Sequence, residues 1–159
     1  MMSNSTPIRP TLAEICAAAM VEAADAIEAA CDAATFLAAL GYNHRLWLAV
    51  RGLADQQDWP LPSPRDVHFA IRRSARLGRG LADADIEALV AINHHAAEEL
   101  AGGGDMAGIR SRVRLAYRRR GRGDGFLAWL LGRIGPRGRG MSRPVPAVEP
   151  AAIAIPAPA

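Results

Sequence analysis

The chain has 159 residues, 19 arginines, no lysine and 16 acidic residues, for a formal charge of +3; half of it is hydrophobic and 5 % aromatic. That length accommodates one domain with a modest core, and no uninterrupted apolar run reaches the ~20 residues of a membrane-spanning helix. Charge is uneven, since residues 1–109 hold 8 Arg against 14 acids and residues 110–143 hold 11 Arg against Asp124 alone, the pattern of a basic arm appended to an acidic domain.

Alanine supplies much of the apolar count, and an alanine-rich chain with few β-branched residues favours helix. Residues 1–10 carry Ser, Thr, Asn and two prolines and read as a disordered leader. Thr11-Leu12-Ala13-Glu14 is a capping box and opens a helix over residues 12–33. Leu12, Ile15, Ala19, Ala23, Ile27 and Ala30 share one of its faces, and Glu14, Glu22, Asp25, Glu28 and Asp32 lie mostly away from it. A second helix runs from Thr35 to Gln56, with Phe36, Leu40, Asn43, Trp47, Val50 and Ala54 as its stripe and room for a break at Gly41. Pro60 and Pro62 enforce a connection.

Ser63 and Pro64 start a third helix as cap and first-turn proline. Val67, Ala70, Ile71, Ser74 and Leu77 form its apolar side, and Gly78 and Gly80 end it. Asp83 is placed as the cap of a fourth helix over residues 84–101, striped by Ile86, Leu89, Val90, Asn93, Ala97 and Leu100 and stopped at Gly102. No alternating strand pattern of useful length occurs. The fold expected is all-α: about four helices over residues 11–104 closing one core, then a basic, partly helical extension over 105–134 and a disordered Pro/Ala/Gly-rich tail over 135–159.

No arrangement for catalysis emerges. The pairs His94/Glu98 and His95/Glu99 each offer two ligands, fewer than a zinc centre needs. No glycine-rich phosphate loop is present, and no lysine could complete one. Cys16 and Cys31, fifteen residues apart on a single helix, are too distant to pair and read as buried apolar residues. No charged n-region and apolar h-region open the chain, so the expected location is the cytoplasm. The reading is a non-enzymatic protein that needs no cofactor or metal. Arg112, Arg114, Arg118, Arg119 and Arg120 are candidate nucleic-acid contacts through phosphate neutralisation, with Tyr117 available to stack. Trp129 with Leu127, Leu130 and Leu131 would also suit a membrane surface.

Two segments go beyond generic helix. The first is Ala39-Leu40-Gly41-Tyr42-Asn43-His44-Arg45-Leu46-Trp47, followed by Pro60-Leu61-Pro62. The second runs from Ile86 to Leu100 through Ile92-Asn93-His94-His95. Together, over residues 11–103, they resemble the FlaF family of flagellar biosynthesis regulators, with its A-L-x-x-N-x-x-L-W segment, proline-bearing turn and late L-I-x-I-N helix. His94, Ala96 and Glu99 depart from that family's usual Arg, Ile and Gly. The resemblance implies a role in alphaproteobacterial flagellum assembly, acting on flagellin production or secretion in company with the FlbT regulator. Its most concrete form is a helical export chaperone that covers an apolar helical end of flagellin in a groove. Asn43, Leu46, Trp47, Ile92 and Asn93 are then the candidate partner-binding residues. For Asn43 and Asn93 the residues also allow mutual pairing that fixes helix register, because a buried amide must find partners. Two alternatives stand beside this reading: an arginine-arm RNA-binding regulator, with flagellin mRNA as its target, and a helical interaction module unrelated to flagella.

Overall fold

A computed structural model describes residues 9–120, 123 and 125–135. Most of the expected leader and tail lies outside these residues. The described residues form six helices and no strand: α1 (Leu12–Ala29), α2 (Ala33–Gln57), α3 (Pro64–Ala75), α4 (Asp83–Ala101), α5 (Met106–Arg120) and α6 (Phe126–Ile134). The all-α expectation stands, but the helices number six rather than about four. The basic extension supplies the other two, and both pack on the core.

Local chemistry accounts for the boundaries. At the start of α1 the Thr11 hydroxyl accepts from the Glu14 amide at 3.1 Å, and the Glu14 carboxylate accepts from the Thr11 amide at 3.0 Å. The first helix is shorter than expected, ending at Ala29 with extended backbone at Ala30. The reason is a second reciprocal box one step later: Asp32 accepts from the Thr35 amide at 2.7 Å and launches α2. Cys31 therefore lies between helices and is exposed, correcting the expectation that both cysteines are buried; Cys16 is buried. α2 passes through Gly41 and Gly52 without a break.

α3 ends at Ala75, before Leu77, which stands outside the apolar stripe assigned to it. Leu77 adopts φ 51° and is 57 % exposed. The cap of α4 is Ala82 rather than Asp83, and Asp85 supports it by accepting from the Ala82 amide at 3.1 Å.

α1 is the axis of the fold. It packs most extensively on α4 and also meets α2, α6 and α5. Every residue from Ile15 to Val21 is buried, which no two-sided helix could achieve. Ala17, Ala18, Ala19, Ala23 and Ala24 make this feasible, since a methyl lets neighbouring helices approach from several directions. From the extension, Ile109, Val113, Leu130 and Ile134 are all within 1 % of complete burial. Their docking removes most of their apolar surface from water, about 1.5–3 kcal/mol for each side chain.

Candidate functional site

The two segments that carry the sequence resemblance meet in the interior. Trp47 donates from Nε1 to Asn93 Oδ1 at 2.8 Å, and Asn93 Nδ2 donates to Asn43 Oδ1 at 2.7 Å and to the Met20 carbonyl at 3.2 Å. Asn43 Nδ2 in turn donates to Ser74 Oγ at 2.7 Å. One polar relay thus touches α1, α2, α3 and α4. Asn43, Trp47, Ser74 and Asn93 are all 0 % exposed. The relay answers the question of where two buried amides find their partners: in each other, and in one residue from each neighbouring helix.

Of the five candidate partner-binding residues, Asn43, Leu46, Trp47 and Asn93 belong to this interior. Ile92 alone is half-buried. It lines a recess of about 420 Å³ between α3 and α4, with Phe69 and Ala88 as its other apolar walls and Arg65, Arg72 and Arg76 around it. Arg73 sits 5.3 Å from the centre of the Phe69 ring and 3.7 Å from Asp85.

The candidate nucleic-acid arginines divide into two groups. Arg112 bonds to Glu14, and Arg114 donates to both Glu22 carboxylate oxygens at 3.1 Å while its guanidinium lies 3.7 Å from the centre of the Phe126 ring. Arg110, outside the candidate set, joins them by bonding Glu22 at 3.1 Å and Asp25 at 2.9 Å. The acids that α1 turns away from its core are therefore the ones that receive α5. Burial raises the Glu14 pKa, but hydrogen bonds from the Thr11 amide and Arg112 outweigh it and hold the carboxyl below its usual range. Burial likewise disfavours the Arg110 charge, yet Glu22 and Asp25 leave its pKa raised.

Arg118, Arg119 and Arg120 are exposed, and none makes an ion pair among the described residues. Tyr117 is half-buried beside the aromatic side chains of α6. Its ring packs edge-on against Phe126 at 5.2 Å and against Trp129 at 5.5 Å.

Arg9 and Arg133 were not legible as site residues, being isolated in sequence. They line a second recess with Arg112, Arg119, Arg120 and Trp129. Ser74 carried no signal beyond a polar residue on an apolar stripe.

Among the described residues, no three metal-capable side chains lie together. His95 faces Glu99 at 3.4 Å as an exposed helical pair. Burial pushes the Cys16 thiol up to about 12, which keeps it protonated and unreactive. No family model matches the chain, and neither the curated proteins nor the solved structures contain a match.

Proposed function

We propose that this chain is a regulator of flagellum biosynthesis that acts on flagellin synthesis or secretion by binding flagellin in the manner of a helical export chaperone. It works in the cytoplasm, by recognition rather than bond-making chemistry, with an FlbT-type regulator as its functional partner. One observation supports the reading above the others. The two separate segments that resemble FlaF are hydrogen-bonded to each other through Trp47, Asn93 and Asn43, as expected if the shared motif encodes a common core.

On this reading Asn43, Leu46, Trp47 and Asn93 act by holding α2 and α4 in register. Ile92, next to Asn93, carries the contact through the α3–α4 recess. Phe69 and Ile92 offer apolar surface to a helical segment, and the arginines around them favour one with acidic flanks.

The test is co-purification of the full chain with the flagellin of its host. Micromolar or tighter binding is expected, and Phe69→Glu should weaken it by at least about tenfold while leaving helical circular dichroism unchanged. No binding by the wild-type chain would remove flagellin as the partner and leave a helical interaction module without a flagellar role.

A further inference from the structure

We propose that Arg9, Arg119, Arg120 and Arg133, gathered with Arg112 around Trp129, form a binding site for single-stranded RNA. The site is a recess of about 240 Å³ between the start of α1, the end of α5 and α6. Its arginines come from three separate stretches of sequence, so the fold assembles the site rather than a run of charge. Ile15, Leu115 and Trp129 supply its apolar walls.

The electrostatics distinguish this recess from the neighbouring Arg110 and Arg114 face of α5. Arg110 and Arg114 lie against Glu22 and Asp25. Among the described residues, the only carboxylate paired with any of these five arginines is Glu14, on Arg112. Bringing like charges together is unfavourable unless an anion joins them.

The choice of ligand follows from the pairing of guanidinium with aromatic. Guanidinium groups match phosphate oxygens in a bidentate fork, and single strands alternate such phosphates with flat bases that pack on aromatic and apolar walls. A chain of acidic residues alone would leave the Trp129 wall unused. A lipid surface calls for projecting apolar side chains, whereas Trp129 is half-buried and held by Tyr117 and Phe126. A duplex is too wide for so small a recess, which favours a single strand.

The test uses the full chain and a short fluorescein-labelled oligouridine, read by anisotropy. Binding should weaken with salt at a log–log slope of about −3, as expected for four or five phosphate contacts on a single strand. Arg119→Ala/Arg120→Ala should lower affinity by at least about tenfold, while the matched pair Arg65→Ala/Arg72→Ala on α3 should leave it within about twofold. RNA should quench tryptophan emission in the wild type and much less in Trp129→Phe. Equal losses from the two arginine pairs would overturn the proposal in favour of diffuse charge attraction. So would absence of RNA binding, whether or not the chain binds phosphatidylglycerol vesicles or polyglutamate. Unchanged circular dichroism in the variants separates loss of the site from loss of the fold.

Discussion

Asn93 hands its side-chain amide to the Asn43 carbonyl at 2.7 Å across 50 residues of sequence, with both side chains wholly buried. The bond makes α2 and α4 read one register, and its other branches extend that constraint to Met20 and Ser74.

Asn93→Ala should therefore be among the most damaging single changes. It strands Trp47 Nε1 and Asn43 Oδ1, and a loss of about 2–4 kcal/mol is expected in urea unfolding. Asn93→Ala/Asn43→Ala should cost less than the two single changes added together, because each already breaks the shared bond. Strict additivity would show that the relay is not cooperative.

Thiol labelling should distinguish the two cysteines. Cys31 is exposed and Cys16 is buried with its thiol pushed up to about 12. A maleimide or disulfide reagent is expected to modify Cys31 in the native protein and Cys16 only after denaturation. Rapid native labelling of Cys16, followed by mass spectrometry of the peptides, would contradict the axial position of α1.

Acid should loosen the attachment of α5. The Glu14 carboxyl sits below its ordinary value of 4.5 when folded, held there against burial by Thr11 and Arg112. A group depressed on folding contributes stability above its unfolded pKa and loses that contribution as pH falls through the folded one. Glu14→Gln should thus be less stable than wild type at neutral pH, with the gap narrowing as pH falls below 4.5 and on through the lowered folded value. A gap that persists in acid would assign the effect to packing instead.

A stabilising change is available at Leu77. The residue occupies φ 51° and is 57 % exposed, a conformation that costs a branched L-residue about 1–2 kcal/mol and asparagine less. Leu77→Asn should raise stability by about 0.5–1 kcal/mol, seen as a higher urea midpoint with an unchanged slope. A lowered midpoint would mean that the leucine packs in solution.

The first four helices were largely readable because their signals are local: Thr11 with Glu14, Pro64 after Ser63, the glycine at 102, and stripes at three- and four-residue steps. The shift in the first helix end shows the limit of that reading, since Ala30 and Ala33 continue a helical pattern that only the Asp32–Thr35 box interrupts. The extension was harder. Ile109 and Val113 are four residues apart, but the arginines around them make α5 look like a solvated arm. Its docking depends on complementarity with Glu14, Glu22 and Asp25, and each half of that match taken alone resembles an ordinary exposed face. The arginine recess was illegible for a related reason: Arg9 and Arg133 reach it only through the fold.

The central place of α1 also bears on how the chain is made. It leaves the ribosome before α4, its most extensive neighbour, and Asn93 reaches its Met20 carbonyl across 73 residues. At translation rates of about 5–20 residues per second, those residues take roughly 4–15 s to synthesise. For that interval α1 lacks its principal neighbour, and its sides carry mostly methyl groups rather than large sticky side chains. The alanines that permit tight packing in the finished molecule also make the nascent helix a poor target for aggregation while it waits.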